Sequence, residues 1–524
     1  MCFYFVMILS DWRDEYFFMV TKVFSFSISG IEVMPVHVEV DISNGLPNFL
    51  MTGYLGNEVK EASERVRTAI KNTGYRFPPN RIVVNISPAN IRKNSTGFDL
   101  PIAIGILSDL GEVCREWLDD TLIMGELSLD GRVNPIRGVL AGVGMAKQAG
   151  FRRCIVPKAN EAEGSAIEGI SVIGVETLSQ AVAVINQKDY TQRVNKIMKK
   201  ASEADMVDFA DVYGQETIKR SSMIAVAGRH NMLMIGPPGS GKTLAAKRIP
   251  TIMPDMTLEE KIDITKVYSI IGTLSSEGGL IEKRPFRAPH HSISLTGLIG
   301  GGRYPVPGEI TLADKGVLFL DELTEFNPRV LDALRQPFEE KSVTLVKGTG
   351  TYVFPADCMI VAAMNPCKCG YYPDNRCTCS PAEIDRYIGR ISKPLLDRFD
   401  ITVSVSQTGY KDISGGNKNG NMSSAQMKEK VIEAIERQKY RYKASNICYN
   451  AQLNGKLLRK YCKVTKEAQE LLEMVYSRMS VTARGYDKIL KVARTVADME
   501  GQEHIMPQHI CEAVAYRNTY TTEK

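Results

Sequence analysis

The sequence predicts an α/β protein: a phosphate-loop core, a compact α/β domain ahead of it and a helical segment behind it. Three observations predict this. Residues 231–243 run from an apolar strand-like stretch, Met232-Leu233-Met234-Ile235, through a glycine-rich turn into helix-forming Leu244-Ala245-Ala246. A second apolar run, Gly316-Val317-Leu318-Phe319-Leu320, ends in the adjacent carboxylates Asp321 and Glu322. Well ahead of both, residues 36–42 alternate Val36, Val38, Val40 and Ile42 with His37, Glu39 and Asp41. Residues 57–73 then place Val59, Ala62, Val66, Ala69 and Ile70 at helical spacing.

The 524 residues correspond to about three domains at roughly 150 residues each. A hydrophobic content of 44% with 24% charged residues is that of a globular chain with ample core. Lys and Arg total 65 against 60 for Asp and Glu, so the balance neither demands nor excludes nucleic acid, and any basic surface is local. Four of the eleven cysteines fall between 367 and 379, and the remainder are scattered, the pattern of reduced thiols in a cytoplasmic protein. Residues 1–18 read as an unstructured extension, or as the product of an upstream start codon with Met19 the natural beginning. Their apolar run is too short to span a bilayer, so a weak membrane anchor is the competing reading, and no later segment reads as transmembrane.

In chain order, residues 36–42 form a half-buried strand with His37 on its solvated face, and the helix over 57–73 stops at Gly74. Strands follow near 81–87, 122–127 and 154–157, with helices over 100–110 and 139–150, giving a domain over 19–185. Here a resemblance enters. Gly125-Glu126-Leu127-Ser128-Leu129-Asp130-Gly131-Arg132-Val133-Asn134-Pro135-Ile136-Arg137-Gly138 resembles the Lon-protease segment ahead of the catalytic lysine. Ser95-Thr96-Gly97-Phe98-Asp99-Leu100-Pro101-Ile102-Ala103 resembles the segment carrying the nucleophilic serine. The resemblance implies a Lon-like, S5-domain-2-like fold. It also places the serine position on Gly97 and the lysine position on Leu140, which leaves neither hydroxyl nor amine for a Ser–Lys hydrolase. Such a domain is inactive as a protease.

Residues 186–205 are polar and charged, a linker. The core, 206–407, is built on Gly236-Pro237-Pro238-Gly239-Ser240-Gly241-Lys242-Thr243, which fits G-x-x-x-x-G-K-[ST]. Its backbone N–H groups and the following helix N-terminus cradle phosphates. Lys242 reaches the β- and γ-phosphates, and the Thr243 hydroxyl ligates Mg²⁺. Asp321, at a strand end, holds the Mg²⁺ through water, and Glu322 orients or deprotonates the attacking water. The expected cofactors are therefore ATP and Mg²⁺. Phe286-Arg287-Ala288-Pro289-His290-His291-Ser292 carries adjacent histidines, read either as a zinc site or as polar contacts near the nucleotide or in a substrate loop. On a helix or strand, neighbours point apart, which speaks against shared metal. Residues 300–309 form a glycine- and proline-broken loop with Arg303, a pore loop facing a polymer. A helix over 328–340 and a hairpin over 343–354 around Gly348-Thr349-Gly350 come next.

Cys367-Lys368-Cys369 and Cys377-Thr378-Cys379 are two C-x-C pairs separated by a glycine- and proline-containing loop. They can close around one tetrahedral Zn²⁺ with no open position, which makes the metal structural; an iron–sulfur cluster is the alternative. Residues 408–424 read as a flexible loop. The segment 425–524 is helical over 425–443, 465–479, 483–499 and 507–517, with Tyr486, Ile489, Leu490 and Ala493 forming the buried stripe of the third.

Several motifs together resemble AAA+ ATPases. Tyr213-Gly214-Gln215-Glu216 is similar to the segment opening such modules. Asn365, ending the apolar run 359–364, is similar to the first sensor that helps hold the lytic water. Arg398, in Pro394-Leu395-Leu396-Asp397-Arg398-Phe399-Asp400, is similar to the finger that reaches a neighbouring subunit's γ-phosphate; a surface ion pair to Asp397 or Asp400 is the competing reading. Arg484 matches the arginine of the helical lid. The order of a Lon-like domain, a core with C-x-C pairs, and then Ser480-Val481-Thr482-Ala483-Arg484-Gly485-Tyr486-Asp487-Lys488 resembles the YifB/ComM family of magnesium-chelatase-like ATPases over about residues 19–520. Tyr54-Leu55-Gly56-Asn57 departs from the usual Gly-Leu-Pro-Asp, and Gly485 stands where Ala is common. The resemblance implies a homo-hexameric DNA-binding branch-migration motor of natural transformation, with a chelatase-type motor acting on a partner protein as the alternative.

Overall fold

The computed structural model describes residues 20–186, 207–274, 279–348, 350–407, 421–478 and 482–517. The expected extension at 1–18, nearly all of the linker at 186–205 and most of the loop at 408–424 lie outside the described residues. The chain divides into two compact units. The first comprises Met1–Lys199 with Lys261–Ile281, and the second Lys200–Glu260 with Glu282–Lys524.

The first unit is a mixed sheet backed by helices. Its described elements include β1 (Thr21–Ser29), β2 (Glu32–Ser43), β3 (Asn48–Thr52), α1 (Ala62–Asn72), β4 (Arg81–Ser87), α2 (Asp99–Asp109), β5 (Thr121–Ile123), α3 (Val139–Gln148), β6 (Arg153–Pro157), β7 (Ser171–Val175) and α4 (Leu178–Asn186). The strand order is β3-β4-β2-β1-β5-β6-β7. β1, β2 and β4 pair antiparallel, and the remaining neighbours pair parallel. Val36, Val38 and Val40 of β2 face α2, which is buried almost throughout because it lies across the sheet. Gly105 allows that closeness, since a Cβ there would stand 2.7 Å from Val40 Cγ2.

Three local expectations change. The helix over 57–73 is two pieces, Asn57–Lys60 and Ala62–Asn72. The strand near 122–127 stops at Ile123, because the Gly125 N–H bonds Gly97 O and the Gly125 carbonyl accepts from Leu100. The next residues, Glu126–Leu127, pair instead with Val133–Asn134. His37 is half-buried rather than solvated, edge-on to Phe24 at 4.8 Å, and burial lowers its pKa.

The second unit is a parallel sheet. Its elements include α5 (Glu216–Gly228), β8 (Met232–Ile235), α6 (Lys242–Ile252), β9 (Phe286–Arg287), β10 (Val317–Leu320), the hairpin β11 (Ser342–Lys347) and β12 (Gly350–Pro355), β13 (Met359–Met364), α7 (Pro381–Ile388) and β14 (Ile401–Ser404). The order β9-β10-β13-β8-β14 puts the phosphate-loop strand inside the sheet, with every neighbour parallel. Strands buried on both faces read as continuous apolar runs, which is why β8, β10 and β13 were legible as such. The expected single helix over 328–340 is two, Pro328–Asp332 and Arg335–Glu340.

The C-terminal part supplies α8 (Ser424–Arg441), α9 (Gly455–Tyr461), α10 (Lys466–Arg478), α11 (Ala483–Met499) and α12 (Pro507–Ala515), all within the second unit. Asp498 of α11 is fully buried and holds Arg441, Arg494 at 3.0 Å and Asn450 at 2.9 Å. Breaking such a buried pair from one side costs about 3–5 kcal/mol, so this network fixes the register of α8 on α11. Among the described residues no helix is long and apolar enough to cross a membrane.

Candidate active site

The phosphate loop leaves β8 at Gly236, whose N–H bonds the carbonyl of Met364 at the end of β13. Gly239 and Gly241 take φ of 73° and 85°, the left-handed turn that brings the chain to the N-terminus of α6. Lys242 is buried, and its ammonium donates to Gly236 O at 2.7 Å and Pro237 O at 2.9 Å. Ser240 Oγ and Asn365 Oδ1 stand 3.4 Å away. Every one of these acceptors is neutral, and burial lowers the lysine's pKa. A desolvated cation bonded only to neutral groups fits an anionic ligand such as phosphate.

The two strand-end carboxylates diverge. Asp321 Oδ2 accepts from the Thr243 hydroxyl at 2.7 Å, and its Oδ1 accepts from the Glu322 N–H at 3.0 Å. Glu322 has φ 51° and ψ 50°, a left-handed conformation that costs a non-glycine residue about 1–3 kcal/mol. The Glu322 side chain standing on that backbone is 60% exposed. Its Oε2 lies 3.4 Å from His291 Nδ1. Thr243 and Asp321 together offer hydroxyl and carboxylate oxygens to a hard cation, while Glu322 keeps a carboxylate free of that task.

The adjacent histidines do not point apart. They lie in a turn rather than a helix or strand, with their ring centroids 4.0 Å apart, and His290 bonds Ser292 Oγ at 2.8 Å. His291 is therefore placed by the turn against the carboxylate of Glu322. The loop at 300–309 is pinned by a short pairing of Gly300–Gly301 with Val306–Pro307, leaving Arg303 exposed over the Tyr304 ring at 5.6 Å.

Lys242, Thr243, Asp321, Glu322 and Asn365 thus form one group. Arg398 lies at a second place, in the turn before β14, and among the described residues neither it nor Arg484 shares a hydrogen bond with the first group. The Arg398 guanidinium pairs with the Glu339 carboxylate, and among the described residues its Nε has no hydrogen-bond partner. Neither Asp397 nor Asp400 is that partner. Asp400 is faced by Lys488 at 3.6 Å and His230 at 3.5 Å. Burial works against its ionisation, yet these two groups hold it well below the usual carboxylate range. Lys488 also donates to the carbonyls of Asp397 and Phe399, on either side of Arg398. Arg484 is exposed one helical turn earlier on the same face of α11. Sequence reading singled out His291, as a polar contact near the nucleotide, but not Lys488 or Glu339. Nothing in the local sequence marks the latter two, since each acts through a contact distant along the chain.

The sulfurs of Cys367, Cys369, Cys377 and Cys379 all lie within 4.8 Å of one another. Cys367 Sγ is 3.3 Å from Cys369 Sγ and 3.7 Å from Cys377 Sγ, and Cys369 to Cys377 is 3.5 Å. Four thiolates around one zinc at about 2.3 Å stand roughly 3.8 Å apart, so this donor set fits a tetrahedral ion. Backbone N–H groups of Tyr371 and Thr378 hold the Cys369 thiol down to about 6, while desolvation and the neighbouring sulfurs hold those of Cys377 and Cys379 up.

Comparison with known proteins places the chain among relatives of matching length. Family models for magnesium chelatase subunit ChlI match residues 208–413, for subunit ChlI of Mg-chelatase residues 38–160, and for the ChlI C-terminal part residues 421–517. Competence protein ComM of Haemophilus influenzae is 39% identical over 499 residues, covering 94% of this chain and 97% of that protein. Protein YifB of Escherichia coli is 40% identical over 488 residues, covering 93% and 95%. A partial likeness, 32% over 131 residues, is to Lon protease 2 of Thermus thermophilus, covering 24% of this chain and 16% of that protein.

Proposed function

The chain belongs to the YifB/ComM family of magnesium-chelatase-like AAA+ ATPases, and from that premise we propose that it is a hexameric ATP-driven motor that translocates on DNA, of the branch-migration type used in natural transformation. The observation that carries the ATPase reading is the pairing of Thr243 with Asp321 beside a lysine whose hydrogen-bond acceptors are all neutral. An incoming triphosphate gives Lys242 a charged hydrogen-bond acceptor in addition to its neutral ones, and Thr243 with Asp321 would hold Mg²⁺, which neutralises phosphate charge when bound. Glu322, left outside that pair, orients the water, and Asn365 steadies it from the end of β13. Arg398 serves a neighbouring copy's nucleotide, and Arg484 acts as the arginine of the helical lid. The near-full-length likeness to a competence protein supports DNA as the polymer, and Arg303 on the exposed loop is the side chain we assign to it.

The first unit is proposed to be Lon-like in fold and inactive as a protease. Leu140, at the lysine position in the first turn of α3, is buried and its N–H donates to Glu163 Oε1 at 2.9 Å, and a Cβ at Gly97 would stand 3.1 Å from Ile136 Cδ1. Family descriptions that name magnesium chelatase keep a second reading in view, a motor acting on a partner protein. ATP turnover measured with single-stranded, double-stranded and branched DNA separates the two. The expected outcome is a several-fold rise with at least one of them; a rate indifferent to all three removes the DNA reading.

We assign the four cysteines to one structural Zn²⁺ per chain. Replacing Cys367 and Cys369 together by Ser is expected to release it and to lower the thermal midpoint of the second unit. Metal analysis showing no zinc, or an iron–sulfur chromophore, overturns the assignment.

A further inference from the structure

The cysteine cluster stands directly against the phosphate loop. Pro366 alone separates Cys367 from Asn365, and Gly236, where the loop begins, bonds the carbonyl of Met364 just before it. From buried Cys367 the chain turns at once. Gly370 N–H donates to Cys367 O at 3.0 Å, and Tyr372 N–H to Cys367 Sγ at 3.4 Å. This turn carries Gly370 onto the loop itself. Gly370 has φ 87°, and a Cβ built on it would stand 2.6 Å from Cδ and 3.1 Å from Cγ of Pro238. A proline ring has no rotamer by which to move aside, so the backbone of one segment sets the position of the other. Pro238 lies inside the phosphate-binding stretch, between two residues whose backbone groups line it.

We propose that the metal-loaded cysteine cluster positions the phosphate loop through Gly370 and Pro238, so that filling of the cluster sets affinity for the nucleotide as well as stability. This rests on the zinc reading above. Four thiolates tied to one ion hold the turn at 367–370 as a wall behind Pro238. Once they are released, the like-charged sulfurs no longer share a centre, and the wall relaxes. The loop then loses the support that keeps its N–H groups converging on phosphate. A loop displaced by about 1 Å weakens a positioned interaction on the order of tenfold or more. Gly370 is a positioning residue here, since it touches the loop and not the nucleotide.

The test uses the full chain and three readouts: zinc per chain, affinity for a fluorescent ATP analogue, and thermal midpoint. Gly370→Ala is expected to keep its zinc yet bind the analogue about tenfold more weakly, with KM for ATP raised more than kcat is lowered. Lys368→Ala, on the exposed side of the same turn, is expected to bind as the parent does. Adding Pro238→Ala to Gly370→Ala removes the clashing ring atoms and is expected to recover part of the lost affinity. Stripping zinc from the parent with phenanthroline, then restoring Mg²⁺, is expected to weaken analogue binding in step with zinc loss while the circular dichroism is unchanged. Zinc-loaded Gly370→Ala that binds the analogue like the parent overturns the coupling and leaves the zinc reading standing. Parent protein without zinc overturns the zinc reading, and the coupling with it.

Discussion

Glu322→Gln is expected to bind ATP as the parent does and to hydrolyse it about 10²–10⁴-fold more slowly, the range that a positioned general base supplies. The substitution keeps the shape of the side chain and the left-handed backbone it stands on. It also leaves the neighbouring pair intact, because Asp321 takes its hydrogen bonds from Thr243 and from the backbone N–H at position 322, not from the Glu322 carboxylate. What it removes is the one carboxylate in the group that is not engaged by the loop. Lys242→Ala provides the contrast: it removes the charge that meets the phosphates and is expected to weaken nucleotide binding itself. Measured as kcat and as analogue affinity, the two variants separate chemistry from binding. Comparable turnover in Glu322→Gln and parent would remove Glu322 from the mechanism, and the 3.4 Å approach of His291 would then be a surface contact with no catalytic consequence.

Local chemistry was readable from the sequence because its spacing is local. Gly236 to Thr243 must be contiguous to form a loop, and Asp321 with Glu322 must end a strand to reach it; both stand beside β8 and β10. The two C-x-C pairs were readable for the same reason, and their sulfurs converge. What escaped reading is set by packing between distant segments. The pattern at 122–127 is continuous in hydrophobicity, yet backbone bonds of Gly125 to Gly97 and Leu100 divert the chain there. Residues 261–281 look like a continuation of the core, yet they cluster with the first unit, where Ser269 bonds the buried Glu163. Adjacent histidines point apart only on regular elements, and a turn brought these two rings together. Nor does any pattern announce that Lys488 grips the turn around Arg398, or that Gly370 meets Pro238.

Arg398→Ala is expected to bind ATP normally and to lose about 10³–10⁵ in turnover, the contribution of an arginine supplied to a neighbour's site. In a single chain this guanidinium is paired with Glu339, whose carboxylate is 60% exposed. An ion pair with so exposed a partner contributes about 0–1 kcal/mol. A 10³–10⁵-fold rate contribution corresponds to roughly 4–7 kcal/mol. If Arg398 completes a neighbour's site as proposed, the pair with Glu339 is weak enough to be exchanged for the γ-phosphate of that copy. Lys488, donating to the carbonyls of Asp397 and Phe399, anchors the turn that carries Arg398. If Arg398 acts on a neighbour, the defect can be shared out. Arg398→Ala chains keep an intact phosphate loop, and Lys242→Ala chains keep an intact arginine. Mixing the two is expected to restore turnover above the sum of the separate preparations, at sites where a sound loop faces a sound arginine. Mixed rings that form, as seen by cross-linking of differently tagged chains, and yet stay as inactive as their parts would place Arg398 within its own chain's chemistry or outside the reaction altogether.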